Sequence, residues 1–424
     1  MIYDFNGLKV TDNSKEQKDA DLFLLTKQNS KYYDHAISSI TPSKLLEKLQ
    51  LNDIKIVGVT GTNGKTTTTA AIYSMLNDLG YKAALQGTRG FFIADEQKGQ
   101  KSLTTPSILT TIYHLFQAKK AGCRHFCMEV SSHAIDQDRI EGLDFALKVF
   151  TNISQDHLDY HKSMQNYIAT KSSFFADESM KLINKEDKYI HYNVKNARTY
   201  AIEEMATYQI LAYSLQNGIS ALLRFGSTTV DFYSPLQGFF NLYNITAAIG
   251  AVHMLTNEEL ENIAAVVEYF AGVKGRMEVV SEKPLIIVDF AHTPDGMQKV
   301  FESFSGRKIV ALFGAGGDRD KSKRPLMGEV ASRFCTKIYL TSDNPRSEDP
   351  NSIMEDIKRG IKRDTPCFCI PDRKEALQKA ISDLEDDEIL LVLGKGDEEY
   401  IEIGDKKIAF SDREVIENIL QQIK

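Results

Sequence analysis

The sequence predicts an α/β protein of two or three domains built on mostly parallel sheets. Three observations predict it. The 424 residues exceed what a single ordinary core holds. Apolar, β-branched runs alternate with helical stretches, once from residue 54 and again from about Gly275. A glycine-rich turn joins the first of these runs to a helix, the usual start of a βαβ unit.

The elements follow in order. Residues 1–48 are mixed, with one strand expected at Asp21–Leu25. IKIVGVT (54–60) reads as a buried strand. A helix is expected from Lys65 to about Leu79, stopped by Gly80. A further helix falls around 107–120, and CRHFCMEV (123–130) and ALKVFTNI (146–153) read as buried strands. Residues 198–234 read as short antiparallel strands, with turn signals at Asn217-Gly218 and Gly226-Ser227. Helices around 241–255 and 258–270 follow, then a boundary at 271–275. Beyond it PLIIVDF (284–290), KIVALFG (308–314), KIYLTSD (337–343), CFCIP (367–371) and EILLVLG (388–394) alternate with helical stretches, as in a parallel sheet.

Charge and cysteine usage narrow the function. Fifty-one basic residues face 58 acidic ones, a formal charge of −7, which argues against nonspecific binding to nucleic acid or to an anionic membrane. The five cysteines, at 123, 127, 335, 367 and 369, are odd in number and form no pair of CxxC motifs. Free thiols in a reducing compartment are expected. The opening MIYDFNGLKVTDNSK has no long apolar core, so no secretory signal is expected. No apolar run approaches a membrane span. A cytoplasmic monomer is the expectation.

The strongest motif is Gly58-Val-Thr-Gly61-Thr62-Asn63-Gly64-Lys65-Thr66-Thr67. A nucleoside triphosphate needs a cradle of backbone N–H groups, a lysine on the β/γ-phosphates and a hydroxyl on Mg²⁺. Gly61 and Gly64 allow the close approach, Lys65 is the cation and Thr66 the metal-side hydroxyl. The spacing departs from the standard loop, whose first glycine would fall at Val59. A plain glycine turn before a helix is the bland alternative, and the strand–turn–helix context disfavours it.

Glu129 ends a strand beside this loop, where ligands bind in open α/β sheets. It suits Mg²⁺, a hard cation that takes oxygen ligands, and it equally suits a solvated strand end. Thr151-Asn-Ile-Ser-Gln-Asp156-His157-Leu-Asp159-Tyr-His161 gathers several potential ligands, which also fit loop caps. Lys171, in YIATKSSFF, reads from its neighbours as a surface lysine on a helix.

At these motifs the chain resembles the Mur ligases. TGTNGKTTT (60–68), TTP (104–106), EVSSHA with Gln137 and Arg139, TNISQDHLDYH (151–161) and Lys171 resemble that family's ATPase domain. GRME (275–278), DFAHTPD (289–295), GAGGDRDKSKRPLM (314–327), DNPR (343–346) and GKGDEE (394–399) continue the likeness, which runs from about residue 54.

The resemblance implies three domains: a short UDP-sugar-binding domain at 1–50, a P-loop ATPase domain at 51–272 and a Rossmann-like domain at 273–424 that carries the incoming amino acid. It implies ATP and Mg²⁺ as cofactors. Lys171 would be carbamylated, turning a cation into an anionic oxygen ligand that holds Mg²⁺ with Glu129, His157 and Thr66. Thr104, Thr105, Ser131, Gln137 and Arg139 match positions that hold the UDP-muramoyl-peptide. Ser14, Asn29 and Ser30 are the uridine-side candidates in the short N-terminal part. Asn241, Asn244, Arg276, Asp289 and His292 would join Gly61–Thr67 around ATP. The family's usual GKGHE reads GKGDE here, with Asp397 in place of the histidine.

The implied reaction is amide formation between UDP-N-acetylmuramoyl-L-alanyl-D-glutamate and meso-diaminopimelate. ATP would first convert the carboxylate into an acyl phosphate, which the amine then attacks. Such chemistry rests on positioning and electrostatics and needs no nucleophilic serine or cysteine. Selecting diaminopimelate over lysine requires a group for the extra carboxylate, which arginine binds in a bidentate fashion. Arg346, in Asp343-Asn344-Pro345-Arg346, is the candidate reader, and a solvated loop arginine is its bland alternative. The resemblance adds Arg319, Gly394 and Glu398, the last for the distal ammonium. A lysine-adding ligase, a folylpolyglutamate synthetase and a non-catalytic nucleotide-binding module are the competing readings.

Overall fold

A computed structural model describes residues 1–94, 96–99, 103–362 and 364–423. The chain forms two compact units. One comprises residues 1–153, 163–235 and 242–270; the other comprises 154–162, 236–241 and 271–424.

The first unit holds two sheets. Strands Ile2–Phe5, Leu8–Thr11, Leu22–Leu24 and Ser38–Ile40 form a four-stranded sheet, antiparallel in its first pair and parallel thereafter. Phe5 meets Phe116 edge-on at 5.3 Å, and the Tyr3 hydroxyl lies 2.9 Å from that of Thr110. The helix Ile108–Lys120 thus carries the N-terminal sheet on its outer face. Its start is capped by Ser107, whose hydroxyl accepts the Thr110 N–H.

Among the described residues the larger sheet has eleven strands, and its middle is parallel. Strand Lys55–Thr60 lies at its centre, between Phe145–Phe150 and His125–Glu129. These strands are buried along almost their whole length because both faces are covered. The antiparallel expectation for 198–234 is half right. Tyr208–Ser214, Ile219–Phe225 and Thr228–Ser234 are antiparallel, whereas Ala197–Ala201 runs parallel to both its neighbours.

The second unit is a doubly wound sheet in the order Glu278–Glu282, Leu285–Asp289, Glu388–Leu393, Lys308–Phe313, Cys335–Leu340, Cys367–Cys369. Only the first strand is antiparallel. Alternate side chains serve opposite faces. Ile287, Ile309, Ala311 and Leu391 pack with helices Pro294–Glu302, Lys323–Phe334 and Pro350–Lys358. Ile286, Val310, Leu312 and Val392 pack with Arg373–Ser382 and Asp412–Ile423.

One buried ion pair fastens this second face. Arg373 and Asp412 are both sealed from solvent, with Nε to Oδ1 at 2.7 Å and Nη2 to Oδ2 at 2.8 Å. The guanidinium also donates to the carbonyls of Ser342 and Leu393. Asp412→Ala would strand a buried cation and is expected to cost about 3–5 kcal/mol. Urea denaturation should show a lower midpoint at unchanged slope.

Among the described residues, no helix is long and apolar enough to cross a membrane.

Candidate active site

In the first unit three loops leave the carboxyl ends of adjacent parallel strands. Helix Lys65–Asp78 begins directly after the glycine turn, with Gly64 at φ 82° as its N-cap. A Cβ on Gly64 would lie 2.3 Å from Asn244 Oδ1, and one on Gly61 would lie 1.9 Å from Thr151 Oγ1. Only glycine fits either place. Thr151 and Asn152 brace the turn: Asn152 O accepts from Thr62 N at 2.7 Å, Asn152 Oδ1 accepts from Asn63 N at 3.0 Å, and Thr151 Oγ1 donates to Asn63 O at 2.6 Å. Lys65 Nζ lies across the loop and donates to the carbonyls of Gly61 and Thr62. Thr67 is buried in the first helical turn.

Glu129 is 2% exposed. Its Oε2 accepts from Thr66 Oγ1 at 2.9 Å and from Thr88 Oγ1 at 3.1 Å, and its Oε1 accepts from Thr88 N at 2.9 Å. Thr88 also reaches Thr104 Oγ1 at 3.1 Å, and so links the carboxylate to the predicted peptide-side residues. Sequence reading missed Thr88; its only signal is its place just after strand Ala83–Gly87. Thr105 Oγ1 donates to Glu129 O and accepts from Ser131 N, while Arg139 donates to Thr105 O and to Gln137 Oε1. Thr104, Thr105, Ser131, Gln137 and Arg139 therefore form one bonded group beside Glu129.

Lys171 is 1% exposed, which overturns the surface reading. Its Nζ donates to Gly61 O at 2.9 Å and approaches Thr60 Oγ1 at 3.5 Å, under the glycine turn. Tyr167, one turn earlier, lies 3.1 Å from Thr62 Oγ1 through its hydroxyl.

On the N-terminal sheet the Asn29 amide closes its own loop, donating to Asp12 O and Leu24 O. Ser30 Oγ donates to Lys27 O. Ser14 opens a short 3-10 helix capped by Asn13.

In the second unit Asp289 and His292 lie at the carboxyl end of the parallel strand Leu285–Asp289. Asp289 is buried and accepts from the N–H groups of Met277 and Ala291, both at 2.7 Å. Burial pushes its carboxyl up, opposed by the Arg276 charge. Arg276 stacks over Phe290 at 4.2 Å. Burial lowers the His292 imidazole, whose Nδ1 lies 3.0 Å from Phe290 O. His157 sits in a left-handed turn at φ 53° and pairs with Asp156 at 3.3 Å. Asn241 donates to Gln237 O.

Loops from the three consecutive strands Glu388–Leu393, Lys308–Phe313 and Cys335–Leu340 carry the remaining candidates. Asp343, Asn344 and Pro345 are buried, and Arg346 is partly exposed. Asn344 Nδ2 donates to Glu398 Oε2 at 2.8 Å. The Gly394 backbone passes so close to Asp343 that a Cβ would meet Oδ2 at 2.4 Å. Arg319 is exposed on the adjoining loop.

Among the described residues, no group of three or more His, Cys, Asp or Glu side chains could hold a metal. A magnesium ion bound at Thr66 and Glu129 would therefore need other oxygen donors, which triphosphate and water supply.

Family models match residues 59–252, as the Mur ligase middle domain, and 275–396, as the Mur ligase glutamate ligase domain. The chain belongs to the Mur ligase family. Among these ligases, it is 53% identical over 420 residues to the UDP-N-acetylmuramoyl-L-alanyl-D-glutamate--2,6-diaminopimelate ligase of Wolinella succinogenes, covering 98% of this chain and 96% of that one. The Helicobacter hepaticus ligase of the same name is 51% identical, covering 95% and 91%. A solved structure bearing that name superposes with a TM-score of 0.69 at 28% identity, over 98% of this chain and 94% of the other.

Proposed function

We propose that this Mur ligase joins the amine of meso-2,6-diaminopimelate to a carboxylate of UDP-N-acetylmuramoyl-L-alanyl-D-glutamate, in the cytoplasm, with ATP cleaved to ADP and phosphate. The names of its bacterial relatives support the reading. The observation that carries it is a guanidinium and a carboxylate, Arg346 and Glu398, on neighbouring loops joined through Asn344 and Glu402. Such a pair suits an amino acid with a second charged end. On the same reading residues 1–50, 51–272 and 273–424 bind uridine, ATP and amine respectively.

The turn Gly61–Gly64 would receive the triphosphate on its N–H groups, with Lys65 on the phosphates and Thr67 in the first helical turn. Asn241, Asn244, Arg276, Asp289 and His292 would hold the rest of the nucleotide. Thr66, Glu129, His157 and a carbamylated Lys171 would hold Mg²⁺, which neutralises phosphate charge when bound. Thr104, Thr105, Ser131, Gln137 and Arg139 orient the acceptor carboxylate, with Ser14, Asn29 and Ser30 on the uridine side. That carboxylate attacks the γ-phosphorus and ADP leaves. The amine, positioned by Arg319, Asp343, Asn344, Pro345, Arg346, Gly394 and Glu398, attacks the acyl carbon. Phosphate departs and the amine releases a proton.

Phosphate release with UDP-muramoyl-dipeptide, ATP and a panel of amino acids tests the proposal. Release should depend on meso-diaminopimelate; equal release with lysine, or release with folate and glutamate, overturns it. Arg346→Ala should raise the KM for diaminopimelate about 10- to 100-fold and spare ATP binding. Unchanged diaminopimelate kinetics would remove Arg346 from the site.

A further inference from the structure

We propose that Glu402 is a positioning residue for Arg346, fixing which edge of its guanidinium is presented to the amine substrate. The inference rests on the reading of Arg346 given above and adds a residue outside every motif in that reading.

Glu402 lies on the strand Tyr400–Ile403 of a small hairpin completed by Lys406–Ala409. This hairpin grips the Arg346 backbone on both sides. Arg346 N donates to Glu402 O at 3.0 Å, and Gly404 N donates to Arg346 O at 2.7 Å. The grip matters because Arg346 holds φ 51°, a left-handed conformation that costs a non-glycine residue about 1–2 kcal/mol. The side chain is held as well. Its Nε donates to Glu402 Oε2 at 3.0 Å, and its Nη1 donates to Gly317 O at 2.7 Å. Gly316 leaves room for this pose, since a Cβ there would come within 3.0 Å of Nη1.

Of the five N–H donors of a guanidinium, two are thus committed. Nη2 has no protein partner among the described residues. The Nη1–Nη2 end of the fork is the edge left for a carboxylate. Glu402 takes only Nε, with one oxygen, so it orients the fork without filling it. The same strand is tied to the carboxylate candidate, because Glu402 N donates to Asn344 Oδ1 at 2.9 Å while Asn344 Nδ2 and Lys395 Nζ both donate to Glu398 Oε2. One hairpin strand therefore sets both the cationic and the anionic candidate contacts.

The exposure of the pair decides where its effect should show. Arg346 and Glu402 side chains are 25% and 29% exposed. Ion pairs this accessible contribute little to folding. An unpinned arginine regains rotamer freedom that substrate binding must then remove. The effect belongs in amine affinity, not in stability.

The test compares Glu402→Ala and Glu402→Gln in the full-length enzyme, each with and without Arg346→Ala. Glu402→Ala should raise the KM for diaminopimelate about tenfold, with kcat at saturating amine, the KM for ATP and Tm little changed. Glu402→Gln should restore most of the loss, because its amide oxygen still accepts from Nε. Glu402→Ala should add nothing in the Arg346→Ala background. A wild-type KM in Glu402→Ala overturns the inference, as does a joint loss of kcat and ATP affinity that glutamine does not restore. If Arg346→Ala raises the KM and Glu402→Ala does not, only this inference falls. If Arg346→Ala has no effect, the reading of Arg346 falls and takes this one with it.

Discussion

Lys65→Ala is expected to lower kcat on the order of 10³-fold, with the folded state intact. Its Nζ is seated by the Gly61 and Thr62 carbonyls, so the ammonium already stands over the turn. A cation held there meets the charge that develops on the transferring phosphoryl group without reorganising first. Lys65→Arg should fail to recover the rate, because a planar fork cannot take the place of a compact ammonium between two carbonyls. Rapid-quench measurement of ADP formation in a single turnover reports the step directly. A rate within tenfold of wild type would remove the loop from the chemistry.

Lys171→Ala is the second large effect, again on the order of 10³-fold in kcat. The side chain is buried against the underside of the glycine turn, 2.9 Å from Gly61 O. As a carbamate it would add an anionic oxygen ligand where an ammonium would repel a divalent ion. Two results should accompany the loss. Wild-type activity should fall in carbonate-depleted buffer and return with bicarbonate. The alanine variant should regain part of its rate with a short carboxylate, which can enter the space the side chain leaves. An enzyme indifferent to both treatments would show that Lys171 acts as an amine.

The glycine turn was legible because its signals are local. An apolar run, two glycines in places a Cβ would fill, and a helix start all lie within a dozen residues. The alternating C-terminal block was legible for the same reason, since each strand carries its own period. Lys171 was not. Thr170, Ser172 and Ser173 around it look like a solvent-facing stretch, and its burial comes from Thr60 and Gly61, more than a hundred residues away in sequence. Strand direction at Ala197–Ala201 was also hidden, because alternation encodes which face is covered and not which way the chain runs. The antiparallel pairs of Gly90–Ile93 with Glu96–Gly99 and of Tyr400–Ile403 with Lys406–Ala409 escaped notice because residues such as Gln97, Lys98, Lys406 and Lys407 are polar and exposed. Thr88 and Glu402 are single polar residues whose partners exist only in the fold.

The Arg373–Asp412 pair has a reach beyond its own helix. The two carbonyls that Arg373 holds belong to Ser342 and Leu393, the residues immediately before Asp343 and Gly394. A side chain outside the proposed amine contacts thus anchors the roots of the two loops proposed to carry them. If those loops read the amine as proposed, helix Asp412–Ile423 underlies that selectivity. A genetic screen for altered amino-acid usage would therefore recover lesions at position 412, and they would report weakened scaffolding, not a redrawn pocket.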